Sequence, residues 1–111
     1  MDKAIKLSEK KCIACEGNVL AFREPEIKRY IKHLSKGWRV IDGKKLRKEF
    51  KFKNFVDTMG FVNQVALIAQ ADDHHPDMQV SYSKVVIELW THAIGGLSEN
   101  DFIIAAKVDE L

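Results

Sequence analysis

Three of the four histidines in this sequence, His74, His75 and His92, fall within a window of 19 residues. Each lies at the end of a predicted helix or strand, where side chains from different elements can meet. Imidazole both gives and takes protons near neutral pH, so such a cluster is suited to general acid–base catalysis. Two adjacent histidines before Pro76 can equally form a polar turn, and their spacing alone does not decide between these interpretations.

The same three imidazoles could hold a zinc ion with an open fourth position, as in hydrating enzymes. Neighbouring residues such as His74 and His75 rarely aim at one point, however, and Pro76 stiffens the turn that follows them. We therefore expect an acid–base site and no metal site.

Cys12 and Cys15 are the two cysteines of the chain, in the order Cys-Ile-Ala-Cys. A structural zinc site needs four ligands, and the sequence has no second Cys-x-x-Cys or His-x-x-x-His pair to complete it. A redox pair usually lies at a helix start in a βαβ unit, which is not evident here. The pattern favours reduced, inert thiols, and a metal or redox role remains the alternative.

Asp101 follows Ser98 by three residues, at the start of the last predicted helix. Ser98 is a typical capping residue, and a carboxylate in the first turn is stabilised by the helix dipole. We expect this capping role whatever else Asp101 does. His33 lies beside Lys32 in the first predicted helix, and we expect it on the surface.

Hydrophobic periodicity and turn residues predict the elements that position these side chains. Pro25 suits the first turn of a helix, Asn54 can cap a longer one, and Asp42-Gly43 is a strong hairpin signal. The predicted elements are a helix over 24–34, strands over 38–41 and 45–52, a helix over 54–71, strands over 78–82 and 85–90, and a helix over 98–111. We predict an α+β fold, a four-stranded antiparallel sheet with three helices on one face, in the order α-β-β-α-β-β-α.

The composition is that of a single globular domain. The chain has 111 residues, of which 46% are hydrophobic and 31% charged, as in soluble folded proteins. No apolar run approaches the roughly 20 residues that span a bilayer, and the charged N-terminal stretch is unlike a secretory signal, so we expect a cytoplasmic protein. Residues 1–23 show no clean period and are expected to form a loosely ordered arm before a domain over residues 24–111.

The net charge of +2 is too small to indicate a nucleic-acid partner by itself. Basic residues nevertheless crowd one segment of the chain, at Lys44, Lys45, Arg47, Lys48, Lys51 and Lys53. Lys48 also interrupts the apolar face of the second strand. We expect the solvated side of a strand here and no nucleic-acid partner, with a phosphate-binding stripe as the alternative.

The stretch ADDHHPDMQVSYSKVVIELWTHAIGGLSENDF resembles the signature region of pterin-4a-carbinolamine dehydratases. That family has a polar residue, three residues, His-His-Pro, an aromatic residue six positions after the proline, a histidine ten later and an aspartate nine later. This sequence has His74, His75, Pro76, Tyr82, His92 and Asp101 at those intervals. The resemblance covers about residues 25–111, and the arm with KCIACEG resembles bacterial members.

The resemblance implies a hydro-lyase that removes water from a 4a-hydroxytetrahydropterin, giving a quinonoid dihydropterin during pterin recycling for aromatic amino acid hydroxylation. It implies His74, His75 and His92 as catalytic histidines, with His74 and His92 exchanging protons and His75 mainly holding the pterin. Asp101 would orient or bind the substrate from the start of the last helix, and Gln70 would contact it at the rim. No cofactor and no membrane are implied, and a homodimer or homotetramer is expected.

One departure from the family pattern lies four positions before the first histidine, where the family usually has an acidic residue and this chain has Gln70. Glutamine keeps a hydrogen bond but carries no charge, so we expect weaker activity. Relatives in animals also act as dimerisation cofactors for a transcription factor. A non-catalytic dimerisation or regulatory partner of the same fold is therefore the alternative function.

Overall fold

In the part of the chain that the structure describes, three α-helices and four β-strands follow one another in the predicted order. The helices are α1 (Glu24–Ile31), α2 (Phe55–Asp72) and α3 (Glu99–Asp109), and the strands are β1 (Arg39–Ile41), β2 (Lys45–Lys51), β3 (Asp77–Ser81) and β4 (Lys84–Leu89). Two 3₁₀ turns, Leu7–Glu9 and His92–Ile94, were not predicted. The computed structural model describes residues 6–13 and 20–111, and within these ranges no helix has the length and apolar character needed to cross a bilayer.

The four strands form one antiparallel sheet in the order β1-β2-β4-β3. Leu46 on β2 pairs with Val40 on β1 and with Leu89 on β4, so apolar side chains form rows on one face of the sheet. The helices cover that face, where Leu46, Leu89 and Phe102 of α3 are fully buried in one core. The predicted α+β fold is confirmed.

The local signals also act as predicted. Asp42 and Gly43 both have positive φ, 55° and 68°, in the turn between β1 and β2. The Asn54 side chain accepts a hydrogen bond from the backbone N–H of Asp57 at 2.7 Å and so caps α2. The Asp42-Gly43 turn and the Asn54 cap therefore determine where the hairpin turns and where α2 begins.

The sequence predicts that Lys48 interrupts the apolar face of β2, but in the structure the charge of Lys48 is paired on that face. Its ammonium lies 3.0 Å from a carboxylate oxygen of Asp109 at the end of α3, and the two side chains are only 14% and 6% exposed. The same carboxylate accepts the indole N–H of Trp38 at 3.0 Å and the backbone N–H of Ser35 at 2.9 Å. Lys48 is therefore a paired, largely buried cation that joins the sheet to α3.

The other basic residues of β2 face the opposite side of the sheet. Lys45 and Arg47 both contact the carboxylate of Glu88 on β4, and Lys84 contacts Glu49 at 3.1 Å. The basic segment is thus divided between two faces, and several of its charges are neutralised by neighbouring strands. This arrangement agrees with a solvated strand surface and does not form a continuous phosphate-binding stripe.

The N-terminal residues 6–13 are not the loosely ordered arm that we expected. The 3₁₀ turn packs on α3, where Leu7 is buried in the core. Ser8 donates a hydrogen bond to Glu110 at 2.6 Å, and Lys10 pairs with Glu99. The segment lacks a sequence period because it is held by side-chain contacts to α3 and not by a helix or strand of its own.

Cys12 is half-buried in this segment, and its thiol lies 3.6 Å from the backbone carbonyl oxygen of Asn100. Burial, with a further contribution from the nearby Asp72 carboxylate, raises the pKa of the Cys12 thiol to about 12. A thiol that stays protonated at neutral pH is a poor nucleophile and metal ligand. The geometry around Cys12 therefore favours the inert interpretation, while Cys15 lies outside the described residues.

Replacing Asp109 with alanine should lower the free energy of unfolding by about 3 kcal/mol, because it leaves the Lys48 ammonium buried without its partner. Urea denaturation followed by tryptophan fluorescence measures this loss. The matched control is Glu24→Ala, which removes an exposed ion pair with Lys28 and should leave the midpoint unchanged. Equal effects of the two substitutions would contradict the role given to Asp109.

In a Cys15→Ser variant, the remaining thiol of Cys12 should react with iodoacetamide at least about 100-fold more slowly in the native protein than in guanidinium. The thiolate is the reactive form, and at pH 8.5 a thiol of ordinary pKa is about half ionised, whereas one with a pKa of about 12 is almost entirely protonated. Because the pKa is raised, the native rate should keep increasing towards pH 11. Intact-mass spectrometry measures both rates, and equal rates would show that Cys12 is a reactive thiol.

Candidate active site

The three clustered histidines, His74, His75 and His92, line one cavity of about 640 Å³. Its walls come from four parts of the chain: Lys11–Ile13, the end of α2 through Asp77, the segment Trp90–Ala93 after β4, and Asn100 of α3. His33 is exposed in the turn after α1 and does not line this cavity, as expected from its position. The spatial cluster predicted from the sequence therefore exists.

The end of α2 places His74 and His75. Asp73 adopts the left-handed conformation, with φ of 52°, and the backbone N–H of His74 donates to the carbonyl of Ala69 at 3.1 Å. This is the Schellman arrangement, which ends a helix sharply and turns the chain away from the helix axis. Pro76 and β3 follow at once, so both histidines are held at the junction between a helix and a strand.

His74 is hydrogen-bonded to Asp101, with 2.7 Å between its Nε2 and the Oδ1 of the carboxylate. Asp101 is fully buried, and its Oδ2 accepts the hydroxyl of Thr91 at 2.8 Å and the backbone N–H of Ser98 at 3.0 Å. A carboxylate acts as an acceptor, so Nε2 of His74 carries the hydrogen and the ring orientation is fixed. The Nδ1 atom is then the one that can exchange a proton with a ligand.

The predicted helix cap at Ser98 is also present. Ser98 and Asp101 form a capping box, in which each side chain bonds to the backbone N–H of the other residue. Because the Thr91 hydroxyl donates to Asp101, the Ser98 hydroxyl is the donor in its 2.8 Å bond to Thr91. The cap of α3 and the partner of His74 are thus the same carboxylate.

Gln70 bonds to the second histidine of the pair and not to the first. Its Oε1 lies 3.1 Å from Nε2 of His75, and both side chains are exposed. The residue four positions before His74 therefore reaches the neighbouring imidazole, while His74 takes its carboxylate from α3. The family pattern placed Gln70 four positions before His74, and the turn of the chain at Asp73 brings it to His75 instead.

His92 approaches the cavity from the 3₁₀ turn after β4. Thr91 and Gly96 bridge the base of this turn, with 2.8 Å between the backbone N of Thr91 and the carbonyl oxygen of Gly96. The imidazole of His92 lies against the indole of Trp90, with ring centroids 4.0 Å apart, and the Lys45 ammonium lies 5.0 Å from the centroid of the same indole. This packing presents the ring of His92 at the exposed edge of the cavity.

Several residues of the site carried no signal in the sequence. Thr91 directly precedes His92, but its bond to Asp101 depends on the tertiary fold and leaves no pattern in the sequence. Asp72 also lines the cavity. Although burial acts to raise the pKa of Asp72, the Lys107 ammonium at 2.6 Å and the backbone N–H of Cys12 outweigh it and hold that pKa below its usual value.

Within residues 6–13 and 20–111, no group of three histidine, cysteine, aspartate or glutamate side chains is arranged to hold a metal ion. The imidazoles instead have carboxylate, amide and indole neighbours. His74 and His75 turn to different partners, Asp101 and Gln70, as expected for adjacent residues. The arrangement can position protonatable groups around a ligand in the cavity.

Comparisons with known proteins identify the family of the chain. The model of the family "Pterin 4 alpha carbinolamine dehydratase" matches residues 21–111. A protein of Nitrosomonas eutropha that carries the name of a pterin-4-alpha-carbinolamine dehydratase is 49% identical over the whole chain and 97% of its own length. A protein of the same name from Nitrosospira multiformis is 52% identical over 112 aligned residues, again covering the whole chain and 97% of its own length.

Two solved structures share the fold. The transcriptional coactivator/pterin dehydratase from Brucella melitensis aligns with a TM-score of 0.76 and 35% identity, over 81% of this chain and 96% of that one. A pterin dehydratase-like protein described as a RuBisCO assembly factor in the alpha-carboxysome aligns with a TM-score of 0.58 and 25% identity, over 67% of this chain and 87% of that one. The fold, the extent of the family match and the identities agree, and the chain belongs to the pterin-4a-carbinolamine dehydratase family of hydro-lyases.

Proposed function

We propose that this protein dehydrates a 4a-hydroxytetrahydropterin to a quinonoid dihydropterin and water by histidine acid–base catalysis. The observation that carries the proposal is one cavity lined by His74, His75 and His92, in which His74 is bonded to a buried carboxylate. The wider role is the recycling of the pterin used by aromatic amino acid hydroxylases. A cytoplasmic location is part of the proposal, and the free thiol of Cys12 suits a reducing compartment.

The reaction needs two proton transfers and no electron transfer. One proton is delivered to the 4a-hydroxyl, which leaves as water when the carbon–oxygen bond breaks. Another proton leaves the neighbouring ring nitrogen, and its electron pair forms the new carbon–nitrogen double bond. Two positioned imidazoles, one acting as acid and one as base, can carry both steps, and positioned proton transfer typically contributes about 10²–10⁴-fold to a rate.

We assign His74 and His92 as the acid–base groups. His74 has its Nε2 engaged by Asp101 and so offers Nδ1 to the substrate. His92 reaches the same cavity from a different element and is exposed there. His75, whose Nε2 is held by the amide oxygen of Gln70, is assigned mainly to holding the pterin.

Asp101 is proposed to act through His74 and not by touching the pterin. Its carboxylate is fully buried, and both oxygens already accept hydrogen bonds from His74, Thr91 and Ser98. These bonds support a role for Asp101 in orienting His74 and not in binding the substrate. Gln70 is likewise proposed to act at the rim through His75, because its amide oxygen bonds that imidazole and Gln70 does not line the cavity.

The cavity suits a small flat heterocycle. Its volume of about 640 Å³ falls within the roughly 300–1,000 Å³ typical of small-molecule sites. The indole of Trp90, which packs against the tilted ring of His92, adds an aromatic surface to the polar walls. A bicyclic pterin could therefore contact both an aromatic side chain and the histidines.

A role as a partner protein is the second candidate function, and assembly into a dimer or tetramer belongs with it. The exposed side of α2 carries large apolar residues, with Phe55, Val56 and Leu67 exposed by 50%, 78% and 72%. Exposed apolar side chains along one helix favour contact with another chain. Turnover of a carbinolamine separates the two candidates, because a purely structural partner would not exceed the uncatalysed rate.

His74→Ala and His92→Ala should each lower kcat/KM for carbinolamine dehydration by about 10²–10³-fold, because each removes a group that transfers a proton. A stopped-flow assay with the uncatalysed rate subtracted measures the loss, and melting curves check that the fold persists. His33→Ala is the matched control and should match the parent protein, as should the parent protein treated with EDTA. Similar losses in all three variants would contradict the assigned site.

Gln70→Glu should raise the rate at pH 7–8 and move the falling, alkaline limb of the pH–rate profile to higher pH. A carboxylate at this position would lie about 3 Å from Nε2 of His75 and favour the protonated imidazole. The pterin would then keep this hydrogen-bond donor to higher pH, so the shift acts through the role of His75 in holding the substrate. The matched control is Gln64→Glu, the same change on the exposed surface of α2. If both variants kept the parent profile, position 70 would not couple to the chemistry.

A further inference from the structure

The N-terminal segment Lys11–Ile13 forms part of the histidine cavity, although the proposed chemistry makes no use of it. Its backbone is fixed by the side chain of Asn100. The Ile13 N–H donates to the amide oxygen of Asn100 at 3.0 Å, and the amide nitrogen of Asn100 donates to the Ile13 carbonyl at 2.5 Å. One side-chain amide therefore satisfies both backbone groups of Ile13, as a neighbouring strand would.

The other end of the segment is fixed to α2. The backbone N–H of Cys12 donates to Asp72 at 3.4 Å, and Lys11 donates to the carbonyl of Ala71 at 3.0 Å. Asp72 is itself buried and paired with Lys107. The segment thus has two buried anchors on two different helices.

These anchors are sequence neighbours of the hydrogen-bonded pair His74 and Asp101. Asn100 directly precedes Asp101, and Asp72 lies two residues before His74. Any shift of Asn100 or Asp72 would therefore also shift one member of the pair. The backbone of Ile13 is consequently held at a set position relative to the imidazole of His74.

The side chain held in this way is apolar and open to the cavity. Ile13 is 75% exposed, although its backbone is fixed on both sides. Covering the exposed side chain of an ordered isoleucine with an apolar surface removes both from water and so stabilises the complex. The flat face of a pterin ring is such a surface, and Ile13 lines the same cavity as the three histidines.

We propose that Ile13 is a substrate-contacting residue, and that Asn100 is the positioning residue that holds it against the pterin. The inference rests on the proposed dehydratase function of the same cavity. It assigns a binding role to a part of the chain that precedes the signature region. The ligand is a dihydropterin, and Ile13 contacts the flat face of its ring.

Ile13→Ala should raise KM about five- to twentyfold while kcat stays within about twofold, because it removes a contact made equally in the ground and transition states. The affinity for a stable dihydropterin, measured by calorimetry, should fall by a similar factor. Leu20→Ala is the matched control, since Leu20 is 85% exposed in the same N-terminal region and does not line the cavity. It should leave KM, kcat and affinity unchanged.

Asn100→Asp should reproduce the rise in KM, because the carboxylate cannot donate to the Ile13 carbonyl. Combined with Ile13→Ala, it should cause little further rise, since both changes act through one contact. Ser8→Ala cuts a hydrogen bond of the same N-terminal segment outside the cavity and should have no effect on KM. If the rises in KM of the two single variants added up in the double variant, Asn100 would act independently of Ile13, and the positioning role would be wrong.

The outcomes separate this inference from the proposed function. An active parent protein whose KM and dihydropterin affinity are unchanged by Ile13→Ala would overturn the inference and leave the dehydratase function standing. An inactive parent that binds dihydropterin, and loses affinity on Ile13→Ala, would support the contact and overturn the dehydratase. A parent that neither binds nor turns over would overturn both.

Discussion

The buried carboxylate of Asp101 is the constraint on which the site depends. An ionised group removed from water costs several kcal/mol unless hydrogen bonds replace its hydration. Here the replacements come from three parts of the chain: His74 after α2, Thr91 after β4, and the backbone of Ser98 before α3. Satisfying one carboxylate therefore brings together the ends of three elements, and a displacement of any one leaves a buried charge underpaired.

The bond to Asp101 also explains why the three histidines of the cavity differ in exposure. His74, bonded to the carboxylate, is largely buried, whereas His75 and His92 remain exposed and rest on an amide and an indole. The cavity therefore presents two accessible imidazoles and one that is held in place. This difference between His74 and the two exposed histidines suits a reaction that needs one oriented group and others that adjust to the ligand.

Much of the fold could be predicted from the sequence because its signals are local. Asp42-Gly43 requires a turn with positive φ, Asn54 and Ser98 cap helices, and strand alternation fixes which face is buried. The position of Lys48 could not be predicted, because its partner Asp109 is 61 residues away. The packing of residues 6–13 was missed for a related reason, since side chains of α3 hold that segment and leave no periodic pattern.

For the site, the sequence predicted which histidines cluster but not how they pair. The bond between His74 and Asp101 spans 27 residues, and nothing in the spacing of the two residues indicates it. The left-handed turn at Asp73 places His75, and not His74, beside Gln70. The family pattern identified Asp101 as important, and the tertiary fold supplied the reason, which is that one residue both caps α3 and orients an imidazole.

The sharp end of α2 has a consequence for how this chain can vary. Each residue added to or removed from a helix rotates its end by about 100° and moves it by about 1.5 Å. His74 follows α2 directly, so such an insertion or deletion would swing its ring away from the fixed carboxylate on α3. Length changes are therefore tolerable in the hairpin turns, for example at Asp42-Gly43, but not within α2. The number of residues in α2 therefore determines whether His74 can bond to Asp101.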